Sequence, residues 1–543
     1  MLRRFLVLFC VIMLVASASG CGGSAGTAKE KASEGKEKTP VAEETPKRLI
    51  VALDPDYETF DPGLAYELYA QIVLHPVYDT LMEFKDTIDK PKYGVAESHE
   101  VSKDGLVYTF KLRKNVKFAS GNPLTSKDVK WSVERSINLK GNCAFLTEGI
   151  ASIETPDDYT VVFKLKVADA SFLTKLAFNA FSPVDSVLAM QNGATNAPDA
   201  NTADKAKLWF DNHSAGSGPY VIESYTPKVE VVLARNKNYW GKAPYYDKIV
   251  LKSIHDPGAQ LMMLQKGDID IAFNLGPEHI KQIEGKPGIQ IQKAQSMTIT
   301  FLIMNRNPAI GGPIANLDVQ KAIQLALDYQ GIQAIAGEGS ITPVAPFQVG
   351  FLGTLPPRDP KTAQNIEKAK ELMKKAGYEK GFKTTLEVAT QAVEGMDLPT
   401  LAQKIQSDLL KIGIQAEIKT ADIMVVLERY RKHAQPFAIW YWGPDYPDPN
   451  NQFAFLPGAK IGLHAGWTDK MSPKLVELGK KAAVESDSAT RVKFLQEIQR
   501  LMDEDSPYAV LLQHARYYAT RDNIRGAEYI DAYRIDLPKV HAK

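Results

Sequence analysis

Trp440-Tyr441-Trp442-Gly443-Pro444-Asp445 sets three large rings beside one carboxylate. Aromatic faces make flat apolar walls, and a carboxylate among them offers charge-assisted acceptors to an ammonium group. The chemistry this predicts is capture of an amine-bearing solute. Asp445 has a second use open to it, organising the Tyr446-Pro447-Asp448-Pro449 bend, and Asp448 suits that turn role better. Strand alternation puts Trp442 on the side of Trp440 but nearer the loop. Trp442 is therefore the expected wall, with Tyr441 beside it, and Trp440 suits a core. Groups with catalytic potential lack partners. Asp268 and Asp270 alternate with apolar residues and are expected to face solvent beside a turn, while Asp54 and Asp56 form a similar pair without a visible partner set. Ser217 precedes Gly218-Pro219, which fits a tight turn and not a nucleophile helix. Cys143 has no base among its neighbours and reads as a small buried hydrophobe. The nine histidines are scattered, so no metal site is expected. With no Walker loop, GxGxxG turn or HExxH helix, no cofactor is expected either.

The chain around these residues has 543 residues, 44% hydrophobic and 24% charged, with net charge +1, enough for two or three domains. A near-neutral charge argues against nucleic acid as a partner, since phosphate binding needs a concentrated basic face. Residues 1–20 read as a secretory signal: Arg3 and Arg4, an apolar run over 5–15 too short to span a bilayer, then small residues. Ala18-Ser19-Gly20-Cys21 resembles a bacterial lipobox, with Ala18 where leucine is more usual, and implies a lipid on Cys21. Residues 21–46 carry small and charged side chains with Val41 as the only large apolar one, a composition expected to form a flexible tether. The expected location is extracytoplasmic and membrane-anchored. Only Cys143 remains for the mature body, so no internal disulfide can form and a core must hold the fold.

The body reads as α/β, with a strand-rich first half and a helix-rich second half. Leu49-Ile50-Val51-Ala52-Leu53 suits a buried strand, Asp104-Gly105 a hairpin turn, and Asp157-Asp158 a second one. Thr125 and Asp128 form a capping box with Leu124 and Val129 as its staple. Asp397 caps an amphipathic helix through Leu401, Ile405 and Leu409 that ends near Gly413, and a further helix over 367–376 stops at Gly377.

Several markers in order resemble the extracellular solute-binding proteins of family 5, the receptors of oligopeptide and dipeptide ABC importers. They run from Thr59-Phe60-Asp61-Pro62 and Val77-Tyr78-Asp79-Thr80-Leu81 through the block 116–135 to Gly216-Ser217-Gly218-Pro219-Tyr220 and Asn238-Tyr239-Trp240, and they end at Trp442-Gly443-Pro444-Asp445. The resemblance spans about 48 to 538. It implies a two-lobed periplasmic-binding-protein-like fold of the large type II class. Lobe I would span 47–296 with an inserted subdomain near 81–205, lobe II 297–509, and the chain would return to lobe I over 510–543. It implies a monomeric, non-catalytic receptor that closes on a small solute and hands it to an ABC permease. In peptide-binding relatives the aspartate matching Asp445 takes the ligand's α-amino group. Tyr66, on the loop 63–69, occupies the cleft position, and Asn305 and Arg306 follow a strand near the crossover, where Arg306 could meet a ligand carboxylate. One departure stands out: the loop 388–397, where dipeptide-binding relatives carry an arginine, has no cation and two acids, Glu394 and Asp397. A carboxylate would find no partner on that loop, whereas a cationic group could find one. Alternatives are a receptor of this fold for a metal chelate, or a secreted hydrolase.

Overall fold

The structure, a computed structural model, describes residues 46–543 other than 56, 86, 87 and 89. The signal, Cys21 and nearly all of the tether lie outside the described residues, as does Asp56. Among the described residues no helix is long and apolar enough to cross a membrane.

Ten strands make one central sheet. From one edge they are Ile414–Ala421, Phe382–Ala389, Phe437–Trp442, Ile289–Met304, Tyr508–Arg521, Ile271–Leu275, Arg48–Leu53, Lys248–Ser253, Glu230–Arg235 and Tyr220–Thr226. Two strands in the middle are unusually long and run antiparallel, from Ile289 opposite Arg521 to Ile303 opposite Tyr508. One end of the pair carries Ile271–Leu275, through Ile271↔Thr520, and the other carries Phe437–Trp442, through Ile299↔Trp442. Their register shifts between Gln295 and Ile299. A bulge of this kind bends a strand and raises its local twist. It falls midway between the two halves of the sheet.

The flanking elements form where local sequence dictates. Asp397 accepts from the Thr400 N–H at 2.8 Å and starts the helix Leu398–Leu410, whose Leu401, Ile405 and Leu409 are buried under the sheet. That helix connects the parallel strands Phe382–Ala389 and Ile414–Ala421, as a crossover must. The Asp128 carboxylate accepts from the Thr125 N–H at 3.0 Å at the head of Ser126–Leu139, and both Leu124 and Val129 are buried. A separate four-stranded sheet, Ala96–Val101, Val107–Leu112, Thr160–Leu165 and Ile150–Asp157 in spatial order, turns at Asp104-Gly105 and at Asp157-Asp158 and has its own apolar core. Asp270 departs from its expected exposure. It is partly buried and accepts from the Ile50 N–H at 2.9 Å, tying one strand end to its neighbour.

Candidate functional site

The segment that presents Tyr66 is anchored from below. Arg135 donates to both Asp61 oxygens (2.7 and 2.6 Å) and to both Asp204 oxygens (2.8 and 3.0 Å), and its guanidinium lies over the Phe210 ring. All three charged side chains are buried, with 2%, 0% and 3% of the side chain exposed. Asn179 donates to the carbonyls of Pro62 and Ala65, each at 2.8 Å, which fixes the path of the following loop. A second junction involves Asp79, which accepts from Ser217 Oγ (2.8 Å) and Trp240 Nε1 (2.7 Å). Ser217 is thus a donor to a partly buried carboxylate that Trp240 also holds. A Cβ at Gly216 would lie 2.1 Å from the Val77 carbonyl oxygen, so only glycine permits this approach.

From that anchored loop Tyr66 reaches Asp445. Its hydroxyl donates to Asp445 Oδ1, while Asp445 Oδ2 accepts from Asn451 Nδ2 at 2.9 Å and the Asp445 N–H donates to Asn451 Oδ1 at 3.1 Å. Burial, then the neighbouring carboxylate, pushes the Tyr66 phenol above its usual range, so it stays a donor. Tyr66 and Asp445 border a cavity of about 270 Å³ with Glu67, Leu146, Phe178 and Cys143. Cys143 is buried, donates to the Gly63 carbonyl at 3.2 Å, and burial pushes its thiol up to about 12, which leaves it no nucleophile. Asp448 serves the turn: it caps Asn450 at 2.8 Å and forms a buried pair with Arg491. Asn450 then reaches Asp169 at 3.3 Å and the Ala170 N–H donates to the Ala483 carbonyl at 2.9 Å, so this bend docks on the segment after the four-stranded sheet.

A larger cavity, about 630 Å³, shares Gly443 with the first and is walled by Tyr69, Asn274, Tyr441, Glu394, Arg516 and Arg534. Its volume suits a small organic solute. Tyr441, and not Trp442, faces it. Trp442 lies on the opposite side of its strand and packs edge-on against Phe455 at 5.6 Å, because the face it shares with buried Trp440 is the core face. Asn305 and Arg306 also stay out of both cavities. Asn305 is buried, with its amide turned to the carbonyls of Gln435, His433 and His464. Arg306 pairs with Asp505 at 2.8 Å and lies over the Trp467 ring, so its charge is already compensated.

The acidic loop is the largest correction. Glu394 is no free acceptor for a cation: it pairs with Arg516 and accepts from Ser296 Oγ (2.9 Å) and Thr298 Oγ1 (3.2 Å). Burial alone would raise its carboxyl, but Arg516, with Arg534 behind it, holds it down at about 2. Sequence reasoning misses Arg516 and Arg534 because each is more than 100 residues from Glu394. The visible signal is a permanent cation, Arg516, inside the largely apolar run 508–520. Among the described residues no group of three or more His, Cys, Asp or Glu is placed to hold a metal ion.

Two buried histidines, His514 beside Glu394 and His464 against Tyr430 and His433, make stability pH-dependent. Burial pushes His514 down to about 4, and burial together with His433 does the same to His464, against 6.5 ordinarily. The unfolded chain therefore takes up protons first as pH falls, and stability is lost between about 6.5 and 4 at up to about 1.4 kcal/mol per pH unit for each imidazole. Glu394 acts in the same direction lower down, its contribution fading as pH drops from 4.5 towards 2. Urea midpoints measured from pH 7 to 4 should fall steeply. His514→Gln should flatten the slope, and an unchanged slope would remove His514 from this account.

The profile of the bacterial extracellular solute-binding proteins, family 5 middle, matches residues 90–461. The probable D,D-dipeptide-binding periplasmic protein of Escherichia coli (strain K12) is 27% identical over 486 residues, covering 88% of this chain and 90% of its own. Among solved structures, HbpA2 from Haemophilus parasuis is similar at a TM-score of 0.78 and 25% identity, covering 91% of this chain and all of that one. An ABC transporter-associated periplasmic binding protein from Helicobacter pylori, in complex with the peptide STSA, is similar at 0.72 and 26%, covering 91% and 98%.

Proposed function

Because this chain belongs to the bacterial extracellular solute-binding proteins of family 5, we propose that it captures a peptide or other amine-bearing solute between its lobes and delivers it to an ABC permease. The observation that carries the reading is the meeting of Tyr66 with Asp445, 379 positions apart in sequence, at the wall of a cavity. Asp445 there presents a carboxylate for an ammonium group, with a hydroxyl alongside as a further partner. The relatives' names point to peptides, one to D,D-dipeptides and one structure holding STSA.

The remaining parts of the reading rest on sequence. Cys21 carries the lipid, the protein acts as an extracytoplasmic monomer, and it binds without transforming. The lobes follow the boundaries 47–296, 297–509 and 510–543, and the bulge at 296–298 serves as their hinge. Tyr66, Tyr441 and Asp445 are its ligand contacts.

Two measurements test this. Denaturation of protein purified from its native host should release a peptide or amine visible by mass. Calorimetric titration of the mature body with L- and D-peptide and polyamine libraries should give saturable heats. Silence across both libraries would sink the reading, and turnover of any titrated peptide would replace it with a hydrolase.

A further inference from the structure

One side chain spans Asp445. The Asp445 N–H donates to Asn451 Oδ1 at 3.1 Å, and Asn451 Nδ2 donates to Asp445 Oδ2 at 2.9 Å. Chemistry alone sets the amide's orientation, because a backbone N–H only donates and an ionised carboxylate only accepts. Asn451 therefore ties the carboxylate back to the Asp445 backbone and holds it in one orientation. Oδ1 is left to Tyr66, at the wall of the smaller cavity. Asn451 is not among the residues that line that cavity and is only 7% exposed, so a solute there meets Asp445 and not Asn451.

The support behind Asn451 is rigid. It sits in the short helix Pro449–Gln452, which Asp448 opens by accepting from the Asn450 N–H at 2.8 Å. Arg491 is buried and donates to both Asp448 oxygens (3.1 and 2.5 Å), to Asn450 Oδ1 (2.8 Å) and to the Ala482 carbonyl (3.1 Å). Asn450 Nδ2 donates in turn to the Ala483 carbonyl at 3.0 Å. On the other side of the bend Tyr446 is buried in the core of the four-stranded sheet, with Lys175 5.2 Å over its ring. The bend is thus held at 446, 448 and 450, and residue 451 passes that fixed position to the carboxylate. Its polarity matters as much as its place. A lysine or arginine there would neutralise Asp445, and an acid would oppose its ionisation. An amide holds the carboxylate by two hydrogen bonds and leaves its charge for the solute.

Resting on the function proposed above, we infer that Asn451 is the positioning residue of the ammonium receptor: it presents Asp445 to the solute without touching the solute itself. The benefit is preorganisation, since the carboxylate has little side-chain freedom left to lose when the amine arrives.

The probes are di-, tri- and tetra-alanine of L and D configuration, as free amine and as N-acetyl derivative, titrated into the mature protein by calorimetry. If they are silent, the tightest amine of the libraries above takes their place. Asn451→Ala should weaken the free amine about 2- to 10-fold, the cost of ordering one freed side chain, and leave the N-acetyl peptide unchanged. In an Asp445→Asn background the same change should add nothing, because both residues act through one carboxylate. Asn451→Asp sets a second acid beside Asp445, and such a pair holds a proton more readily than a lone acid. Its affinity for the amine, divided by that of the unaltered protein, should fall about tenfold between about pH 7.5 and 5, while the N-acetyl ratio stays level. Equal losses of amine and acetylated peptide, additive effects with Asp445→Asn, or a level Asn451→Asp profile each overturn the positioning role alone. Unfolding of both variants by thermal melt also overturns it, since Asn451 would then be a residue of the fold. Silence of every alanine peptide and of both libraries overturns the function and this inference with it.

Discussion

Arg135→Met should cost the folded body about 3–5 kcal/mol, because it strands Asp61 and Asp204 as buried carboxylates without a cation. The loss is that of uncompensated charge. Urea unfolding checks it, and Arg135→Met combined with Asp61→Asn and Asp204→Asn should recover much of the difference. Lys127→Ala is the contrast, since its pair with Asp158 is 75% and 59% exposed and should register below about 1 kcal/mol. The large variant has a second consequence: Arg135 grips the first residue of the turn that carries Tyr66, so solute affinity should fall in molecules that remain folded. A stability change under about 1 kcal/mol would show that the triad is relieved by solvent or by rearrangement.

Asp445→Asn should weaken an amine-bearing peptide about 10- to 100-fold, through loss of the only formal charge in its immediate group of Tyr66, Asn451 and Asp445. Asparagine keeps size and the contact with Asn451, so the fold should be spared. Tyr66→Phe should have the smaller effect, since one hydroxyl goes and the carboxylate stays. The N-acetyl peptide supplies the internal control: it should bind the Asp445→Asn variant and the parent protein alike. Unchanged affinity for the free amine would remove Asp445 from the site.

Local chemistry is readable in the sequence wherever a residue's partner lies within a few positions. Asp397 capping Thr400, Asp128 with Thr125, and the Asp104-Gly105 turn depend on neighbours in the chain, and all three form as expected. Tyr66 and Asp445 are legible through the order of separated markers, which carries tertiary information that spacing alone does not. Long-range ion pairing is not. Glu394 and Asp397 look alike as acids on one loop, yet one caps a helix and the other is neutralised by Arg516 on a strand 122 positions later, since 516 − 394 = 122. Trp442, expected as the wall with Tyr441 beside it, packs into the core instead for a related reason. Alternation tells which residues share a face, but only the packing of Phe455 and Trp440 tells which face is the core.

The strand Tyr508–Arg521 sits between Ile289–Met304 and Ile271–Leu275, made more than 200 residues earlier. During synthesis those two strands wait with unpaired backbone groups facing each other across an empty slot until almost the whole chain has left the ribosome. The nascent protein is therefore barred from completing its sheet early. A chain stopped near residue 500 would expose the edges of Ile271–Leu275 and of the long strand Ile289–Met304 at once, an aggregation hazard rather than a shorter receptor.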